Sequence, residues 1–484
     1  MKKHNRGDIP VKQLTALLCV AALIVSCAVI CVAAGETLLC GDANTDGALD
    51  MKDVLVLRLS IAEYPVTLDL DAADANEDNA VNTKDVLVLR RIIAELEPTK
   101  TRLVTRNTPV TTSFTTISHH PYFTTTAPYQ NPKTEMRGVW LAYYEVAELM
   151  KSTPAETKAA IDELFDFYQS LGINTVFFHV RAYSDAYYSS TLFPKAKAVA
   201  PLLAAGFDPL TYAVEAAHKR EMGLHAWLNP YRVGKTSQNA VCDHLITTDS
   251  DIYYNPASKT VRQALLAGIE EILKNYDVDG IHFDDYFYPP GTPADPQSFD
   301  WGYSGGDIGD FRREQVTLFV KDAYALTHKL KTHAVFGISP AGNLENDLNT
   351  LYADVKTWLK TPGCVDYLCP QLYFGFEHSA SPFPESLRLW NELPRADGVR
   401  LTVGLAVYKA GLYSDDWAGA GAAEWAFGGD ILARQLATLR SCDGVSGFAL
   451  FSSRFLTGEG FSDTCDYAVA QKELDNLTKV LRND

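Results

Sequence analysis

Basic residues are scarce in this chain. Its 43 Lys and Arg stand against 60 Asp and Glu, a net charge of −17 over 484 residues. A nucleic-acid partner needs clustered Lys and Arg to neutralise phosphates, so that class of function is excluded. Cysteine is thin too. Of the 9 present, Cys19, Cys27 and Cys31 fall in an N-terminal apolar segment, and Cys40, Cys242, Cys364, Cys369, Cys442 and Cys465 are scattered. They have neither the paired spacing of a zinc site nor the density of a disulfide scaffold. They read as small buried hydrophobes, with one disulfide in an oxidising exterior as the alternative. A glycine-rich first strand-to-helix turn is also missing, which argues against a doubly wound nucleotide-binding sheet.

What is present begins with Lys2, Lys3, Arg6 and Lys12 ahead of an apolar run from Leu14 to Ala34 that ends Val32-Ala33-Ala34. That order predicts a secretory signal over residues 1–34, with no lasting membrane insertion once it is cleaved. A retained anchor is one alternative. Another is a lipidated terminus at Cys27, after the lipobox-like Ile24-Val25-Ser26.

Two near-copies of an acidic loop follow. The first is Asp42-Ala-Asn44-Thr-Asp46-Gly47-Ala-Leu-Asp50-Met-Lys-Asp53, and the second is Asp74-Ala-Asn76-Glu-Asp78-Asn79-Ala-Val-Asn82-Thr-Lys-Asp85. Oxygen side chains recur at positions 1, 3, 5, 9 and 12, the spacing that wraps a hard cation. Gly47 and Asn79 suit the sharp turn at position 6. The helical segments Asp53 to Glu63 and Asp85 to Glu95 are also duplicated, which an ordinary solvated turn does not require. A loop followed by a helix, twice, resembles the type I dockerin, covering about residues 40–97. The resemblance implies a small all-α module holding two structural Ca2+ ions and a cohesin domain of a scaffold protein as partner. Met51-Lys52 and Thr83-Lys84 depart from the Ser-Thr pairs of well-known dockerins and leave the particular cohesin open.

Residues 98–134 are rich in Thr and Pro with few apolar clusters, the composition of an extended linker. Beyond it, short β-rich runs alternate with helical patterns: Gly138–Ala142, Thr175–Val180, Leu224–Leu228, Gly280–Asp284, Ala334–Ser339, Val365–Pro370, Leu401–Ala406 and Val445–Phe451. Amphipathic stretches such as Glu156–Ser170, Pro209–Glu221 and Val261–Asn275 lie between them. Eight such alternations predict an α/β fold, a (β/α)8 TIM barrel over residues 135–484.

In that fold reactive groups sit at the carboxyl ends of strands. The polar residues there are His179 and Arg181, Asn229 with Tyr231 and Arg232, Asp284-Asp285-Tyr286, Ser339 to Asn343, and Gln371 with Tyr373. Strand alternation lets only one of Asp284 and Asp285 face the barrel mouth, and Asp284 shares a face with Gly280 and His282. Cleaving a glycosidic bond takes two carboxyl groups, or one with help from the substrate. Asp284 is expected as nucleophile or charge stabiliser. The second carboxyl is open among Glu145, Asp185, Asp285 and Glu377. Trp140, Tyr143, Tyr183, Trp227, Tyr231, Tyr286, Tyr288 and Tyr373 offer flat faces for sugar rings, though most aromatics in a barrel are core.

These residues bring out a family likeness. Met136-Arg-Gly-Val-Trp-Leu, Gly172-Ile-Asn-Thr-Val-Phe-Phe-His-Val-Arg181, His225-Ala-Trp-Leu-Asn-Pro-Tyr-Arg232, Val278-Asp-Gly-Ile-His-Phe-Asp-Asp-Tyr-Phe-Tyr-Pro289 and Asp366-Tyr-Leu-Cys-Pro-Gln371 resemble the glycosyl-hydrolase-like family 10 domain. The resemblance implies a glycosidase acting on bacterial cell-wall glycan, with Asp284 and Asp285 catalytic and no cofactor for catalysis. Arg181, His225, Asn229, Arg232, His282, Tyr286, Gln371 and Tyr373 are the expected substrate-binding set. Phe178-His179 departs from the Phe-Gln of many relatives. Asp279 to Asp284 also resembles the strand-4 signature of chitinase-like hydrolases, but Tyr286 stands where their acid would be. The dockerin points instead to plant polysaccharide as a substrate. A non-catalytic barrel that tethers glycan to a scaffold is the alternative of a different class. Either way the expected protein is secreted and associated with a cell-surface scaffold.

Overall fold

The computed structural model describes residues 36–43, 48, 49, 53, 54, 57, 69–76, 81, 83–93, 101–104, 135–292, 303 and 305–482. The segment expected as a signal, including Cys27, lies outside them. The chain divides into two compact units, residues 1–118 and 119–484.

In the N-terminal unit a one-turn helix, Leu70–Ala73, precedes the second acidic loop and the helix Thr83–Ile93 follows it. Ala43, Val54, Leu57, Ala73, Ala75, Val86 and Leu89 form its core. Outside the expected bounds of this module, Glu36–Leu39 pairs antiparallel with Thr101–Val104. Residues 101–104 of the Thr/Pro-rich stretch are therefore strand, and the rest of that stretch, residues 98–100 and 105–134, lies outside the described residues.

The second unit is built on eight strands: β1 Met136–Leu141, β2 Thr175–Arg181, β3 Gly223–Leu228, β4 Gly280–Phe283, β5 Val335–Ile338, β6 Tyr367–Leu368, β7 Arg400–Ala406 and β8 Val445–Phe451. Each pairs parallel with its sequence neighbours, and β8 pairs with β1 to close the barrel. The (β/α)8 expectation holds, and each of the eight predicted runs contains or overlaps its strand. Helices start where caps allow. Thr153 and Glu156 form a reciprocal capping box ahead of Pro154–Ser170, and Asp208, Ser258 and Asp307 cap Pro209–His218, Lys259–Asn275 and Ile308–Leu330.

Alternation sorts the side chains into two cores. Val139, Leu141, Val176, Phe178, Leu224, Ala226, Ile281, Phe283, Phe336 and Ile338 face the helices, whereas Met136, Trp140, Phe177, Trp227, Tyr367 and Ala449 fill the barrel. The inner rings fit because their neighbours lack side chains. A Cβ at Gly337 would fall within van der Waals overlap of the Tyr367 ring, and one at Gly280 would lie 2.9 Å from His225.

One irregularity matters for the site. The pairing of β2 with β3 slips between His179 and Arg181, where an extra residue is inserted. The bulge breaks the two-residue alternation and turns Arg181 to the outer face. There its guanidinium lies 4.3 Å over Phe193, between sheet and helices.

Candidate active site

The carboxyl ends of the strands converge on a pocket of about 270 Å³ lined by residues from all eight strands or the loops after them. Asp284 and Asp285 both open into it. The alternation argument allowed only one, but β4 ends at Phe283, so the two aspartates are free of strand geometry. Asp284 is the deeper, 4% exposed, and Asp285 is partly open.

Asp284 is held from two sides. The Trp227 indole Nε1–H donates to its Oδ2 at 3.2 Å, and the Tyr286 backbone N–H to its Oδ1 at 3.4 Å. Burial, and after it the charge of Asp285, pushes the Asp284 carboxyl well above the ordinary carboxylate range. Burial raises Asp285 as well, against a hydrogen bond from Gln371 that favours its ionised form. Gln371 is itself oriented by donating Nε2–H to the Ser339 carbonyl at 3.0 Å. The arrangement sets a buried carboxyl, biased toward its protonated form, beside a second carboxyl that is less deeply placed.

A second chain of contacts backs Trp227. Its ring stacks on His179, with centroids 3.6 Å apart and planes 14° from parallel. His179 Nδ1 accepts the Tyr143 backbone N–H at 3.3 Å, so Nε2 carries the proton and donates to Asn229 Oδ1 at 3.1 Å. Burial lowers the His179 pKa well below its usual value, which keeps the ring neutral. With its oxygen engaged, Asn229 is left with its amide N–H groups to offer the pocket. At the mouth, Arg232 pairs with Asp251 at 2.8 Å and lies 4.6 Å over Tyr183 and 4.8 Å over Tyr286.

Of the expected substrate-binding residues, Asn229, Arg232, Tyr286, Gln371 and Tyr373 line this pocket. Three do not. Arg181 is turned outward by the bulge. His225 and His282 point into the barrel but lie below the pocket floor, where the Tyr367 hydroxyl bridges their Nδ1 atoms at 2.9 Å each. The Trp140 indole N–H and the Ser339 hydroxyl reach His282 Nε2 at 3.2 and 3.1 Å, so His282 supports the floor from beneath.

The alternatives for the second carboxyl are placed elsewhere. Glu145 accepts the Ala142 N–H at 2.6 Å, the Ser452 hydroxyl at 2.6 Å and the Arg454 N–H at 2.8 Å, and so ties the segment after β1 to the segment after β8. Asp185 and Glu377, both raised by burial, are not among the pocket residues. Sequence reasoning left Tyr144, Tyr408 and Phe451 unassigned, yet all three line the pocket. Tyr408 and Phe451 follow or end apolar strands, where period-two patterning reads them as core. His179 was placed on the rim by the sequence but left out of the expected substrate-binding set because it departs from the Phe-Gln of many relatives.

Among the expected calcium ligands, Asn44, Asp46, Asp50, Asp78 and Asn82 lie outside the described residues. Asp42, Asp53, Asp74 and Asp85, the first and last positions of the two loops, are all buried. Asp85 Oδ1 accepts the Asn76 N–H at 3.1 Å and closes the second loop across itself. Carboxylates withdrawn from water at those positions fit a bound cation. Among the described residues no group of three or more His, Cys, Asp or Glu side chains gathers as a metal site. No helix among them is long and apolar enough to cross a membrane.

The family described as Glycosyl hydrolase-like 10 matches residues 135–418, and the Dockerin type I domain matches residues 40–94. Glycosyl hydrolase YngK of Bacillus subtilis is 29% identical over 316 residues, which cover 57% of this chain and 61% of YngK. Glycosyl hydrolase DigH of Escherichia coli K12 is 29% identical over 382 residues, 68% of this chain and 85% of DigH. Among solved structures, the glycoside hydrolase domain of PgaB (BpsB) from Bordetella bronchiseptica aligns at a TM-score of 0.47 and 14% identity over 73% of this chain and 100% of that one.

Proposed function

Because the chain belongs to the Glycosyl hydrolase-like 10 family and carries a dockerin type I domain, we propose that it is a scaffold-borne glycoside hydrolase whose acid is Asp284 and whose charged carboxylate is Asp285. One observation carries the reading: two adjacent carboxyl groups open into one aromatic-walled pocket, and the deeper of them is biased toward its protonated form.

In this mechanism Asp284 gives its proton to the glycosidic oxygen as the bond to the leaving sugar breaks. Asp285, whose ionised form is favoured by the hydrogen bond from Gln371 against the effect of burial, stabilises the positive charge that grows on the anomeric carbon or activates the incoming water. This exchanges the roles expected from sequence, because burial and like charge favour the proton on the deeper group. The Asn229 amide and the Arg232 guanidinium fix sugar hydroxyl or acyl oxygens, and Tyr286, Tyr373 and Tyr408 flank the rings.

The substrate we favour is bacterial cell-wall glycan, the class suggested by the domain that carries the chemistry, with plant polysaccharide second. The dockerin, with Ca2+ held by Asp42 to Asp53 and Asp74 to Asp85, would attach the enzyme to a cohesin outside the cell. The full-length protein and Asp284→Asn are to be incubated with peptide-free cell-wall glycan and with plant polysaccharides, and products read by mass spectrometry. Oligosaccharides from the parent and not from the variant are expected, and the substrate that yields them identifies the class. If the parent binds glycan and releases nothing, the barrel is a tether and the catalytic reading is wrong.

A further inference from the structure

Five of the seven tryptophans, Trp140, Trp227, Trp358, Trp390 and Trp425, are at most 5% exposed, whereas Trp417 is 88% exposed. It lies on the loop from β7 to the helix Ile431–Arg440, and so on the face of the barrel that holds the pocket. We propose that Trp417 is a sugar-binding platform outside the pocket, which takes a ring of a polymeric glycan whose scissile bond lies at Asp284 and Asp285. The proposal rests on the hydrolase reading above and adds that the substrate is a long chain bound across the rim.

The loop is not free to bury this ring. Asp415 N–H donates to the Ala422 carbonyl at 2.7 Å, Ala418 N–H to the Asp415 carbonyl at 2.9 Å, and Ser379 N–H to the Ala418 carbonyl at 2.9 Å. The Ser379 hydroxyl oxygen accepts the Ala420 N–H at 2.7 Å, so the loop is laced to its neighbour after β6. Asp415 is 4% exposed and pairs with the Lys409 ammonium. The same ammonium donates to the Tyr373 carbonyl at 2.6 Å. Tyr373, and Tyr408 beside Lys409, are pocket walls. One buried ion pair therefore fixes both the pocket wall and the segment that presents Trp417. One residue, Asp416, separates Asp415 from Trp417, which places their Cα atoms no more than about 7 Å apart.

A flat apolar ring held rigidly in water beside a sugar site suits the C–H face of a pyranose. A protein partner would need a contiguous apolar patch. Here Trp417 stands between Asp416 and Ala418-Gly419, and the other exposed aromatics of the loop, Tyr413 at 40% and Phe427 at 56%, are four and ten residues away along the chain.

The test uses full-length protein with Trp417→Ala and Trp417→Phe. Each is assayed on peptide-free glycan polymer and on a short oligosaccharide of the same glycan, and run in affinity gels containing the polymer. For Trp417→Ala the KM for polymer should rise about tenfold and gel retardation should fall, with the rate on the short substrate at its parent value. Trp417→Phe should keep most of the polymer binding. Unchanged polymer KM and retardation in Trp417→Ala, or equal losses on long and short substrates, would overturn the proposal. Should the parent cleave nothing, the hydrolase reading fails by itself, and the gels still decide whether Trp417 holds glycan.

Discussion

Replacing Trp227 with phenylalanine removes one hydrogen bond from Asp284 and keeps a ring against His179. The indole Nε1–H meets Asp284 Oδ2 at 3.2 Å, and this donor favours the ionised carboxyl. A hydrogen bond to a charged group contributes about 1.5–3 kcal/mol, and to a neutral one about 0.5–1.5. The difference is roughly 1–1.5 kcal/mol, or about one pKa unit. Asp284, already raised by burial and by Asp285, should rise by about that much again in Trp227→Phe. The acid must be protonated to act, so the alkaline limb of the kcat/KM profile should move up by about one pH unit. The acid limb, set by Asp285, should stay in place. Two assays check this: the pH profile of oligosaccharide release, and a titration of 13C-labelled aspartate carboxyls with the Asp284 signal assigned through Asp284→Asn. The second needs no substrate. An alkaline limb and a carboxyl midpoint that stay put, or that move down, would refute the assignment of Asp284 as the acid.

Three further outcomes are expected. Glu145→Ala leaves the Ala142 and Arg454 N–H groups and the Ser452 hydroxyl without their acceptor, and should lower barrel stability by about 3 kcal/mol in urea unfolding; an unchanged midpoint would contradict the role of Glu145 in joining the ends of the barrel. Burial pushes His225 down to about 4 and lowers His282 as well. The unfolded chain takes up these protons near pH 6.5, so their contribution to stability is whole above that pH and is lost as pH falls toward 4. Imidazole resonances of both residues should therefore keep their neutral positions down to about pH 5 in the folded protein, and a midpoint near 6.5 for His225 would be inconsistent with its burial. Finally, removing Ca2+ with a chelator should melt the dockerin and leave the barrel intact. All seven tryptophans lie beyond residue 134, so their fluorescence follows the barrel alone. A barrel melting temperature that drops with chelation would show the two units to be coupled.

The rim residues Asp284, Asp285, Asn229, Arg232, Tyr286, Gln371 and Tyr373 were legible because each follows directly on an apolar run, and the fold sends such positions to one face. Arg181 was misplaced because a bulge depends on how β2 pairs with β3, and nothing in the run Thr175 to Arg181 announces the extra residue. His225 and His282 were assigned the correct side of their strands but not the correct depth. Depth along the axis follows from the stagger between neighbouring strands, which a single strand does not encode. Tyr408 and Phe451 were missed for the opposite reason, since their apolar surroundings look like core until the barrel closes and leaves their ends at the mouth.

The sequence by itself determined the two acidic-loop repeats, the eight alternations of strand and helix, and the carboxyl pair after the fourth strand. These are local properties, set by ligand spacing and by the two-residue and 3.6-residue periods of the backbone. Only the tertiary structure shows which carboxyl is pushed further toward its protonated form, because that depends on burial and on the neighbours Trp227, Gln371 and Asp285, brought together from three separate stretches of the chain. It also gave Glu145 its bracing contacts, since its partners Ser452 and Arg454 lie at the far end of the chain and meet it only when β8 closes against β1.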